Sequence, residues 1–262
     1  MCDKASNHKV EHIDFHSIPT LALDQLIGEK TAFSIKTSDI LTGTVHISLA
    51  IKGILGTGAF KTAHATQLTF YPLWPLGLGS KHNQPIAIKQ LYIGNIPKPP
   101  FMRPSLREES KCLYHEANVL YWVKALLKMT YDYVDRSIQE ADEEPPFKIP
   151  RLCFIDAGLL LAYAKCPAGP LSGRGKAGIL SLVYLAEELI PMTANGFIKF
   201  IHNGDTACCM FRDPAINKIA EFLSFMQHVQ YMKTRGQVYI SDYQGSSQLT
   251  FNTITWTYCF TY

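Results

Sequence analysis

A long helical stretch set among strands constrains the fold of this chain more than any other feature. Between about Leu106 and Arg136 the apolar residues Leu113, Ala117, Leu120, Val123 and Leu127 recur at helical spacing, and Ser105 or Ser110 supplies a capping side chain. Ahead of it the chain reads as strands. TVHISLAI is rich in β-branched residues, HATQLTF alternates with period two, and PIAIKQLYI (Pro85–Ile93) follows a loop punctuated by Gly and Pro. Behind it come strands at RLCFIDAGLLLA and GILSLVYLAEEL. A second helix is expected over about Pro214–Thr234, with Ile216, Ile219, Phe222, Leu223 and Met226 on one face. Strands joined by short turns pair antiparallel, and runs of strands with helices placed later make an α+β fold rather than a regular βαβ array.

Composition narrows the function classes. The 262 residues suffice for one well-packed domain or for two lobes. Hydrophobic residues at 47% and charged residues at 18% describe a globular chain. A formal charge of +3 without a dense Lys/Arg block argues against a nucleic-acid partner. No apolar run reaches the length of a membrane span; Phe154–Ala164 comes nearest and contains Asp156. The first residues, MCDKASNHKVEH, lack the apolar core of a signal peptide, and the seven cysteines have no regular spacing. Reduced thiols, a cytoplasmic location and no membrane partner are the expectation.

Several short constellations carry chemistry. ISDYQG (Ile240–Gly245) places Asp242 and Gln244 two residues apart. In an extended segment both face the same way, so an acid and an amide oxygen converge on a point suited to a hydrated Mg²⁺ or a substrate hydroxyl. The same residues also make an ordinary strand-to-turn exit. GTGAFK (Gly56–Lys61) lies between two strands, where glycines let backbone N–H groups approach a phosphate; a simple hairpin turn is the alternative. Lys89 interrupts the apolar strand IAIKQLY, and an inward lysine needs an anionic partner. Glu116 on the long helix is a candidate for it, unless Lys89 lies on an edge strand and reaches solvent. Glu187 and Glu188 end the run LVYLA, fit either to meet a planar base or to form a solvated strand exit. Lys199 and Asn203 sit four apart in FIKFIHN, and His228 lies in the helical segment FMQHVQY.

Taken in order, GTGAFKTAHA, PIAIKQLY, LYHEANVLYWVKALL, VYLAEELI, FIKFIHN, FMQHVQY and ISDYQG resemble the alpha-kinase family of atypical protein kinases. FKTAH and SDYQGSS resemble its fungal branch most, and the likeness runs from about Gly56 to Thr250. The resemblance implies a two-lobed, kinase-like α+β fold, with an antiparallel sheet and the long helix in the N-lobe and an incomplete C-lobe. It implies transfer of the γ-phosphoryl group of ATP to Ser/Thr of a protein substrate. By the match, Lys89 holds the phosphates with Glu116 as its partner. Gly58, Ala59, Phe60 and Lys61 form the phosphate loop, with lysine where the family more often has arginine. Glu187 and the backbone near Leu189 meet the adenine. Lys199, Asn203 and His228 are nucleotide-side residues. Asp242 is the catalytic aspartate, and Gln244 joins it on the metal side for Mg²⁺.

The organisation expected on this basis is a lead-in over 1–40, a catalytic domain over 41–250 and a divergent tail over 251–262. The family continues with Leu-Thr-Asp-Pro-Gln; here Leu249 and Thr250 lead to Phe251, where a metal-binding carboxylate belongs. The tail NTITWTYCFTY does not match the module that binds structural Zn²⁺ in the family. These departures open a second reading, a catalytically impaired nucleotide-binding or protein-interaction module. A third is a zinc metalloprotease, because HKVEH (His8–His12) matches H-x-x-E-H, a motif that works from a buried helix. GPLSGRGKA lacks the spacing of a Walker motif, and Ala177 stands where the Mg²⁺-binding hydroxyl is required.

Overall fold

The structure is a computed structural model that describes residues 9–29, 31–47, 53–94, 101–164, 179–189, 197–202, 207–246 and 253–254. Its elements in chain order are β1 (Lys9–Ser17), α1 (Leu23–Glu29), β2 (Ile40–Ile47), β3 (Ile54–Thr57), β4 (Lys61–Phe70), β5 (Gln84–Leu91) and α2 (Leu106–Gln139). They continue with β6 (Cys153–Phe154), β7 (Ala157–Tyr163), β8 (Leu180–Glu188), β9 (Phe197–Lys199), α3 (Pro214–Lys233), β10 (Gln244–Ser246) and β11 (Thr253–Ile254). Two compact units result. The first combines Met1–Ile18, Phe33–Asn118 and Asp156–Leu189; the second combines Pro19–Ala32, Val119–Ile155 and Ile190–Tyr262.

The first unit holds a seven-stranded sheet of order β2-β1-β7-β8-β5-β4-β3, antiparallel throughout. β2 pairs with β4 as well as with β1, so six strands close into a ring and β3 continues along the same edge of β4. Closure leaves fewer open strand edges. Side chains alternate across each strand, and the inward set fills the ring. Ile13 and Phe15 come from β1, Val45 and Ile47 from β2, Leu68 and Phe70 from β4, Ile86 and Ile88 from β5. Leu160 and Ala162 come from β7, Tyr184 and Ala186 from β8. Gly43 allows the seam between β2 and β4, because a Cβ there would lie 2.2 Å from the Thr69 carbonyl oxygen.

β1 corrects the sequence reading, which placed a polar lead-in over these residues. The strand lies between β2 and β7 in the sheet. Its charged residues disguised it: Glu11, Asp14 and His16 are buried beside Ile13 and Phe15, so no clean alternation of polar and apolar shows.

α2 matches its expected start and runs three residues past its expected end. Ser105, not Ser110, caps it. Ser105 Oγ accepts from the Glu108 N–H at 3.3 Å and Glu108 Oε2 accepts from the Ser105 N–H at 3.1 Å, a reciprocal capping box. Ser110 Oγ donates back to the Leu106 carbonyl. The helix was expected to pack on the N-lobe sheet, and its first part does belong to the unit that holds the sheet. Its 34 residues extend about 50 Å, longer than a strand of this sheet. Leu106–Asn118 belongs to the first unit and Val119–Gln139 to the second.

In the second unit α3 opens at Asp213, whose Oδ1 accepts from the Ala215 N–H at 2.8 Å, with Pro214 as the first helical residue. Ile219, Phe222, Leu223 and Met226 are buried, as are Leu126, Leu152, Phe200, Ile240 and Tyr243 of the same unit. β9 pairs antiparallel with β10, and β6 pairs parallel with β11. Among the described residues no helix is long and apolar enough to cross a membrane.

Candidate active site

The face of the ring opposite its core carries one group of predicted residues. Ala87 and Lys89 alternate with the inward Ile86 and Ile88 on β5. Strand register then builds two rows across four strands: Ala63, Lys89, Leu185 and Leu159 in one, Ala65, Ala87, Glu187 and Ala157 in the other. Ala63, Ala65 and Ala87 are half-buried and have no bulk beyond Cβ, so this part of the sheet is a low apolar floor. Lys89 Nζ meets Glu187 Oε1 at 2.7 Å diagonally across the rows. Glu187 is only 4% exposed, and a carboxylate so buried requires a counter-charge. An ammonium has three donors, so Lys89 can hold Glu187 and still meet an anion.

This pairing corrects the expected one. Glu116 was assigned to Lys89 but lies 2.7 Å from Lys61 Nζ instead. The reason is register: β8 brings Glu187 within one row of Lys89, whereas Glu116 on α2 reaches the first residue of β4. Glu187 is therefore no solvated strand exit. Glu188 takes that place, its Oε2 accepting from the Asp156 N–H at 3.1 Å, and half-buried Leu189 follows.

Gly58, Ala59 and Phe60 form the turn between β3 and β4. The Gly58 N–H donates to the Lys61 carbonyl at 2.8 Å, and the Tyr92 hydroxyl donates to the Gly58 carbonyl at 2.6 Å. Tyr92 N–H also donates to the Phe60 carbonyl. Gly58 thus closes the hairpin with the N–H group that the sequence reading offered to a phosphate. Phe60 projects from the turn, 68% exposed.

Asp242 lies in the second unit. It is 5% exposed and has φ +62°, a left-handed conformation that is uncommon outside glycine and gathers at functional sites. This corrects the expectation of a continuous extended segment over Asp242 and Gln244: β10 begins only at Gln244. Asp242 Oδ1 is buried without a hydrogen bond of regular angle, and the Lys199 ammonium 2.5 Å away balances its charge. Lys199 stands directly across from Gln244 in the β9–β10 pair.

Sequence reasoning missed the residues that hold this segment. Gln230 Oε1 accepts from the Ile240 N–H at 2.9 Å, and Gln227 Nε2 donates to the Ile240 carbonyl at 2.7 Å. Gln230 Nε2 also donates to Thr130 Oγ1 at 3.3 Å and to the Tyr243 hydroxyl at 3.5 Å. Two glutamines three apart on the buried face of α3 were the available signal. His228, chosen in their place, is exposed on α3. Helical period explains it: Leu223, Met226, Gln227, Val229 and Gln230 share the buried face of α3, and residue 228 points away from it. Asn203 and Phe251 lie outside the described residues.

The donors around Asp242 do not fit Mg²⁺. Among the described residues an ammonium already lies against its carboxylate and no three His, Cys, Asp or Glu side chains converge. The metalloprotease reading fails on geometry. Glu11 and His12 lie in β1, where successive side chains point to opposite faces, and not on a helix; His8 is outside the described residues.

No family model matches the sequence, and neither does any curated protein. Solved structures do resemble the fold. A novel alpha kinase from Entamoeba histolytica is similar over 94% of this chain and 76% of its own, with a TM-score of 0.54 at 15% identity. The alpha-kinase domain of myosin heavy chain kinase A in complex with AMPPCP is similar over 94% of this chain and 79% of its own, at a TM-score of 0.45 and 15% identity. The apoenzyme alpha-kinase domain of myosin-II heavy chain kinase A gives 95%, 82%, 0.45 and 15%. At such identity the likeness speaks to architecture, and the architecture is clear: this chain has the fold of an alpha-kinase domain.

Proposed function

We propose that the chain binds ATP and is a protein Ser/Thr kinase of alpha-kinase type. The observation that carries this reading is the Lys89–Glu187 pair set beside the small side chains of Ala63, Ala65 and Ala87, within an alpha-kinase fold. The alanine floor suits the face of a purine. Lys89, held by Glu187, offers its remaining N–H donors to phosphate oxygens, and Lys61, held by Glu116, adds a second positive charge at the hairpin. Positioning and charge neutralisation supply most of the rate in phosphoryl transfer. In the transfer itself a Ser/Thr oxygen bonds to the γ-phosphorus as the bond to ADP breaks, and Asp242 orients the hydroxyl and takes its proton.

A second reading, a nucleotide-binding module with impaired transfer, is favoured by one observation: Lys199 already balances the Asp242 carboxylate. Calorimetry with ATP and a radiolabelled transfer assay separate the two readings. ATP binding lost in Lys89→Ala, with transfer to protein Ser/Thr lost in Asp242→Ala, supports the kinase. Binding without transfer supports the module. Unchanged ATP binding in Lys89→Ala removes the lysine from its role.

A further inference from the structure

Asp242 is the last acidic residue of the chain, and no other Asp or Glu follows Glu221. The polypeptide from the end of α3 through β10 therefore offers one carboxylate. Magnesium asks for a near-octahedral set of oxygens and is commonly held by one or two carboxylates together with water or phosphate. Here that carboxylate has an ammonium against its Oδ1, and the neighbouring amide donor, Gln244, faces the same lysine across the strand pair. The arrangement is built into the backbone. The Phe200 and Ile201 N–H groups both donate to the Tyr243 carbonyl, at 2.7 and 3.3 Å, which ties β9 to the residue after Asp242. Gln230 and Gln227 hold Ile240 two residues before it. The left-handed turn at Asp242 then sets where its carboxylate points. A dication placed on the same oxygen would sit beside the Lys199 ammonium, and like charges that close repel.

We infer that Lys199 is the resident counter-ion of Asp242, in the place of a divalent metal. The buried carboxylate is balanced by this ammonium and does not recruit Mg²⁺. One consequence rests on the ATP-binding reading above: nucleotide affinity does not depend on a metal bridge to Asp242.

The test begins with the metal alone, so that it stands apart from any nucleotide. Mn²⁺ is titrated into the full-length chain and followed by its electron paramagnetic resonance signal, with Asp242→Asn as control. The expected result is no saturable binding tighter than about 1 mM, the weak end for protein cation sites. Tighter binding that Asp242→Asn abolishes overturns the inference. A thermal-melting cycle tests the pair directly. Lys199→Met should lower the melting temperature, Lys199→Arg should keep it close to wild type, and Asp242→Asn should restore stability in the Lys199→Met background. Strictly additive effects of Lys199→Met and Asp242→Asn overturn the pairing. ATP titrations in MgCl₂ and in EDTA should agree within about twofold, and a loss above about tenfold in EDTA counts against the inference. If ATP binds in neither buffer, the functional reading fails while the Mn²⁺ and melting results still decide the role of Lys199.

Discussion

Replacing Gln230 with leucine probes how the segment before Asp242 is held in place. Gln230 is fully buried, and its amide serves three partners: the Ile240 N–H, Thr130 Oγ1 and the Tyr243 hydroxyl. Leucine keeps most of the volume and removes both polar atoms. The Ile240 N–H is then buried without an acceptor, at a cost of about 1–3 kcal/mol. The two longer bonds add about 1 kcal/mol between them, because Thr130 keeps its bond to the Leu126 carbonyl. The sum is about 2–4 kcal/mol, or a fall of about 4–8 °C in melting temperature for a chain this long. Urea unfolding with an unchanged m value reads the free energy, and calorimetry reads the temperature. Two companions sharpen the test. Gln227→Leu removes the donor to the Ile240 carbonyl and should cost about 1–2 kcal/mol. His228→Ala changes an exposed side chain and should stay within about 0.5 kcal/mol of wild type. A Gln230→Leu protein as stable as wild type, or a His228→Ala protein as damaged as Gln230→Leu, would refute the reasoning.

Other outcomes follow from the first unit. Gly43→Ala puts a Cβ against the Thr69 carbonyl at the seam of the ring and should destabilise by about 1–3 kcal/mol, measured by urea unfolding. Lys89→Met leaves Glu187 buried without its counter-charge and should cost about 2–4 kcal/mol, most of it recovered by Glu187→Gln in the same background. Equal destabilisation of single and double variants would show that the pair carries no such energy. His64 gives a pH signature. Burial, aided by the Arg103 charge, holds its imidazole below the ordinary 6.5, so the unfolded chain takes up the proton first. Its contribution is full above about pH 6.5 and is lost as pH falls toward the lower, folded value. Stability measured between about pH 6.5 and about pH 5 should therefore decline less steeply in His64→Gln than in wild type, and an unchanged slope would exclude His64.

Local pattern carried the elements that depend on neighbours in sequence. α2 announced itself through Leu113, Ala117 and Leu120 and through a capping serine, and α3 through its apolar face, because helix geometry and capping are satisfied within a few residues. β4, β5 and β8 were legible for the same reason, and the ordered motifs sufficed to expect an alpha-kinase architecture. β1 was not legible, since Glu11, Asp14 and His16 are buried by the rest of the unit and break the alternation that marks a strand. Nor could the sequence choose ion-pair partners. Lys89 with Glu187, Lys61 with Glu116 and Lys199 with Asp242 are set by strand register and by the passage of α2, which bring together residues far apart in the chain. Ring closure through Gly43 and the glutamine clasp on Ile240 are decided the same way. The sequence by itself determined the two long helices, the regularly patterned strands and which residue types are available for chemistry. Tertiary structure alone decided which charge faces which, because a charge leaving water takes whatever counter-charge the packed strands place within reach.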